Sequence, residues 1–95
     1  MLNAEQPSVE ATLLNLLQML PREWTVAERD EARHFVDVGE LGLALETIAG
    51  IAMDEDRVLP DSARSEIEVL AKRMGIADGE VISEWRDHLK RKSRQ

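Results

Sequence analysis

Between Gly39 and Gly75 the chain reads GELGLALETIAGIAMDEDRVLPDSARSEIEVLAKRMG. Two apolar runs with residues three and four apart flank an acidic loop and a proline, and a glycine stands at each end. Leu41, Ala44, Leu45, Ile48 and Ala52 share one side of a 3.6-residue period, with Leu43 and Ile51 at its edges. A stripe this wide predicts the central helix of an all-α domain, from about Glu40 to Met53. Ala63, Ile67, Leu70, Ala71 and Met74 repeat the pattern. Pro60 suits a first helical turn, Asp61 suits the positive end of the helix dipole, and Gly75 ends the helix. Gly39 stands where a left-handed residue must separate two abutting helices. Gly42 and Gly50 cost helix propensity, and each is expected to permit a close helix crossing.

Three further helices complete the reading. Ser8 is a suitable N-cap for a helix to Leu20, with Glu10 in its first turn; Val9, Leu13, Leu16, Leu17 and Leu20 form its face and Pro21 stops it. Thr25-Val26-Ala27-Glu28 matches a capping box, which starts a helix running to about Val38 on a thinner face of Val26, Ala32, Phe35 and Val36. Asp78 is the expected cap of the fifth helix, whose inward residues are Val81, Ile82, Trp85 and Leu89. The fold expected is therefore all-α, a compact bundle of about five short amphipathic helices, with residues 1–95 as a single domain and a basic tail fraying from about residue 90. Leu16, Leu45, Ile48 and Leu70 are expected among its most buried side chains.

Composition excludes several functions. The 95 residues contain no cysteine, which removes disulfides, thiolate metal sites and a thiol nucleophile. No apolar run approaches a membrane span, and Met1 to Ser8 lacks the basic region of a secretion signal, so cytoplasmic residence is the expectation. Residues 1–85 hold 18 acidic and 7 basic side chains, a net of −11, whereas residues 86–95 carry a net of +4. Such a body repels nucleic acid and attracts basic proteins.

No constellation of catalytic residues stands out. His34 lies between Asp30 and Asp37 on one helical face, a spacing that also describes any histidine in an acid-rich helix. His88, near Glu84, reads as a solvated polar residue. Gly39 and Gly42 follow a helix rather than a strand, so they form no dinucleotide fingerprint. Asp61-Ser62 at a helix start looks faintly like the phosphopantetheine site of an acyl carrier protein, but Ala63 stands where that site has leucine. A helix-turn-helix around Gly39 would present Glu40 and Glu46 to phosphate. The expectation is a non-enzyme without cofactor or metal, and without nucleic-acid or membrane partners. The candidate partner-binding residues are the loop acids Asp54, Glu55 and Asp56, the acids Glu28 and Glu31 of the second helix, and Trp24 as an apolar anchor.

Phe35 through Met74, with its Gly39-Glu40-Leu41-Gly42-Leu43-Ala44-Leu45-Glu46 core, acidic loop and Leu59-Pro60 helix start, resembles the MafI type of bacterial immunity protein. The resemblance implies a small helical cytoplasmic protein that binds and neutralises the toxic domain of a polymorphic or contact-dependent toxin. Many such domains are nucleases with basic surfaces, which an acidic inhibitor complements. The resemblance carries over no contact residue. The alternatives are a small acidic carrier or accessory subunit of an enzyme system, and a helical adaptor.

Overall fold

The computed structural model describes residues 7–93. They form five helices, α1 (Val9–Gln18), α2 (Val26–Asp37), α3 (Leu41–Asp54), α4 (Asp61–Arg73) and α5 (Glu80–Ser93), and no strand occurs among the described residues. The N-terminal segment read for a secretion signal lies mostly outside the described residues.

Local chemistry sets most helix ends. The Ser8 hydroxyl accepts from the Ala11 amide at 3.0 Å. At α2 the Thr25 hydroxyl accepts from the Glu28 amide at 3.0 Å, and the Glu28 carboxylate accepts from the Thr25 amide at 2.9 Å, a complete capping box. Gly39 follows at φ +81°, the left-handed conformation expected of it. Its amide donates to the Val36 carbonyl at 3.0 Å and the Glu40 amide to the Phe35 carbonyl at 2.8 Å, the paired bonds of a Schellman motif. Gly75, at φ +73°, ends α4 in the same way, with the Ile76 amide reaching the Ala71 carbonyl at 2.9 Å. At the end of α3 a third such bond runs from the Arg57 amide to the Ala52 carbonyl at 3.0 Å, and here the left-handed residue is Asp56, at φ +53°.

Helix α3 is the central helix: it packs against each of the other four. Its Ala44, Leu45, Ile48, Ala49 and Ala52 are buried, and Leu13 and Leu16 of α1, Ile67 and Leu70 of α4 and Ile82 and Trp85 of α5 close around them. All four side chains expected to be most buried lie at 1% exposure or less. Burying each such Leu or Ile stabilises the fold by about 1.5–3 kcal/mol. Thr12 is also buried, its hydroxyl donating back to the Ser8 carbonyl at 2.9 Å.

Several expectations need correction. Val26, assigned to the α2 core face, is 73% exposed, because it opens the first turn and Trp24, two residues earlier, occupies the core instead. Gly42 and Gly50 mediate no close crossing: a Cβ built at either meets nothing within 4 Å. Helix α5 starts at Glu80, and the Gly79 carbonyl rather than Asp78 sits at the cap, accepting from the Ser83 amide at 3.0 Å. A Cβ at Gly79 would lie 3.1 Å from the Ile76 carbonyl oxygen, so the tight entry to α5 disfavours a side chain there. Helix α5 itself runs past residue 90, to Ser93. Its last turn is tied down by Lys92, which bonds Asp56.

Candidate interaction surface

The two acidic segments singled out in the sequence are 29 residues apart at their point of contact, yet they meet. The Arg57 guanidinium donates through Nε and Nη2 to Glu28 Oε2 at 3.3 and 3.1 Å. Glu28 is fixed twice, by its capping box and by this ion pair, and its side chain is 15% exposed. The backbone hydrogen bond from Thr25, followed by the Arg57 bond, holds the Glu28 carboxyl below its ordinary range. Arg57 in turn is held more firmly in its charged form, by Glu28 first and by the attraction of Glu55 and Glu23 in addition. Three segments thus surround one cation: the α1–α2 link with Glu23, the first turn of α2 with Glu28, and the α3–α4 link with Glu55.

Asp56 turns the other way. It bonds Lys92 of α5, and His88 Nε2 lies 3.6 Å from the same carboxylate oxygen. The Lys92 bond, then its charge, pulls the Asp56 carboxyl below its usual range. Aspartate tolerates the left-handed conformation better than most side chains because its short polar group can satisfy nearby donors. Here the conformation aims that group at α5.

The six candidate residues therefore divide. Glu31, Asp54 and Glu55 are exposed and enter no ion pair among the described residues, as are Glu23 and Asp30 beside them. Glu28 and Asp56 border the same surface but are occupied in holding elements together. Trp24 must be withdrawn as an anchor. It is 2% exposed, and its indole N–H donates to the Val58 carbonyl at 3.3 Å, so it seals the core beneath this surface instead of offering itself to a partner. Arg29 was not singled out in the sequence. It caps the α1–α2 link from below, donating to the carbonyls of Pro21 at 2.6 Å, Leu20 at 3.3 Å and Trp24 at 3.3 Å. Only a basic residue four positions after Thr25 hinted at it.

The residues weighed for chemistry stay apart. His34 is exposed and edge-on to Phe35, with ring centroids 5.7 Å apart, while Asp37 is taken by Arg33 at 3.0 Å. Ser62 is exposed in the first turn of α4 beside Asp61, which pairs with Arg64. Among the described residues no three His, Asp or Glu side chains converge as metal ligands, and no helix is long and apolar enough to cross a membrane. Comparison with known proteins finds no matching family model, no matching curated protein and no matching solved structure.

Proposed function

We propose that this protein is a non-enzymatic, cytoplasmic immunity protein that neutralises a cognate bacterial toxin domain by binding it. The observation that carries the reading is the gathering of Glu23, Glu28 and Glu55, from three separate segments, around Arg57. Of these carboxylates Glu23 and Glu55 are exposed and open to a basic protein. The partner expected has a positively charged working surface, of the kind a nuclease uses to hold phosphate, and the inhibitor covers that surface without modifying it. The resemblance of residues 35–74 to the MafI type points to the same role. Opposed charges supply speed and orientation; tight binding also requires desolvated contacts from the partner's side.

The test is protection. A toxin domain encoded beside this gene is expressed alone and together with the full-length protein, and the two are mixed in purified form at low salt. Growth restored only by co-expression, with a complex that co-elutes, is the expected result. Continued killing with no complex overturns the reading.

A further inference from the structure

A cleft of about 250 Å³ lies between the α3–α4 link and the last two turns of α5. Its floor is apolar, with Leu59 and Trp85 both buried. Its walls are cationic. Arg57, Arg64 and Lys92 border it together with His88, and the only carboxylate among its lining residues is Asp56. That grouping runs against the composition, since residues 1–85 contain only seven basic side chains and two of them stand here.

Each cation has one carboxylate partner, but none is saturated. Arg57 spends Nε and one Nη2 donor on Glu28, Arg64 spends Nη2 on Asp61, and Lys92 spends one of three donors on Asp56. Glu28 and Asp61 do not line the cleft, so its walls carry three permanent positive charges against one negative. The Arg64 Nε–H is buried and has no acceptor among the described residues. Buried donors without partners are costly and uncommon in folded proteins. Spare charged donors above an apolar floor fit an occupant with an anionic head and a short apolar body. The volume falls just below the range of about 300–1,000 Å³ typical of ligand pockets, which limits that body to something small.

We propose that this cleft is a binding site for a small organic anion, a carboxylate or a phosphate monoester, held by Arg57, Arg64 and Lys92 over Leu59 and Trp85. Because Arg57 and Lys92 also hold Glu28 and Asp56, the anion competes with the acidic surface for the same cations. The proposal does not rest on the toxin-binding reading.

Nitrogen-15 NMR of the full-length protein tests it, following the Trp85 indole N–H and the Arg64 Nε–H during titration with benzoate, phenyl phosphate, inorganic phosphate and neutral benzamide. Saturable shifts of both signals with benzoate or phenyl phosphate, at a Kd of about 1 mM or tighter, are expected. Inorganic phosphate, lacking the apolar body, binds more weakly, and benzamide leaves both signals in place. The tighter of the two aromatic anions distinguishes a carboxylate from a phosphate ligand. Arg64→Gln and Lys92→Gln, both partly exposed positions, each weaken binding roughly tenfold, the loss of one charge-assisted hydrogen bond. Arg33→Gln removes the same charge from α2 and leaves binding unchanged. The proposal is overturned by the absence of saturation with either aromatic anion, by equal shifts with benzamide, or by equal weakening in Arg33→Gln, which would make the effect one of net charge alone.

Discussion

Gly39 and Gly50 show how one residue type carries opposite meanings eleven positions apart. At Gly39 a Cβ meets nothing within 4 Å, so space is not the constraint; the φ of +81° is. An L side chain there meets its own carbonyl at a cost of roughly 1–2 kcal/mol. At Gly50, inside α3, a Cβ also meets nothing, and the backbone is ordinary helix. There alanine gains about 0.8–1.0 kcal/mol of helix propensity with no clash to offset it. Gly39→Ala is therefore expected to lower the melting temperature and Gly50→Ala to raise it, each by about 4–8 °C per kcal/mol in a domain of this size. Thermal unfolding followed by circular dichroism checks both; shifts of the same sign would show that one backbone assignment is wrong. The sequence carried the Gly39 role because a helix cap is decided within a few residues. It misassigned Gly42 and Gly50 because what faces a helical glycine depends on the neighbouring helix, which no local spacing encodes.

At the scale of elements, three carboxylates join segments distant in sequence: Glu28 to the α3–α4 link through Arg57, Asp56 to α5 through Lys92, and Glu68 of α4 to α5 through Arg86. The last is bidentate, with Arg86 Nη2 and Nε donating to the two Glu68 oxygens at 2.8 and 3.0 Å, and a third bond at 3.2 Å reaches the Ala77 carbonyl. These links were not legible in the sequence, where 19 acids and 12 bases allow too many pairings to choose among. The helices they join were legible, because periodicity and capping are local. All three carboxyls are held below their ordinary range, Glu68 chiefly by the Arg86 bond. A carboxyl lowered on folding binds fewer protons in the folded chain than in the unfolded one. Its stabilisation is complete above the unfolded value, about 4 for these residues, and is lost as pH falls through the folded value. The melting temperature is thus expected to fall as pH is lowered from about 5 toward 3. Glu28→Gln isolates one contribution, since glutamine at this position keeps the capping box but cannot titrate. That variant should melt below wild type at neutral pH and show a shallower acid limb. An acid limb as steep as wild type would place the linkage elsewhere.

The whole molecule is an acidic body with a basic end, and the fold sets the two side by side. Residues 1–85 carry −11 and residues 86–95 carry +4, but the last turn of α5 lies against the α3–α4 link through Lys92 and Asp56. Under the proposed function, a basic partner would be drawn to the exposed Glu23, Glu31, Asp54 and Glu55 carboxylates and turned away from the α5 end, which would set orientation as well as speed. The residues that steer must be separable from those that hold the fold. Glu28 and Asp56 bond across elements, so reversing them would disturb the structure; Glu31, Asp54 and Glu55 are exposed and free of ion pairs among the described residues. The triple variant Glu31→Lys, Asp54→Lys, Glu55→Lys is expected to melt close to wild type and to associate with the toxin domain at least about tenfold more slowly at low ionic strength. Its dissociation rate should change less, as peripheral charges act mainly on encounter. Raising salt to about 1 M, where the screening length is about 3 Å, should bring the two association rates together. Stopped-flow mixing across a salt series measures all of this. Equal association rates at low salt would remove these carboxylates from the encounter, and a rate difference that persists undiminished at high salt would mean that the three side chains act by contact and not by charge.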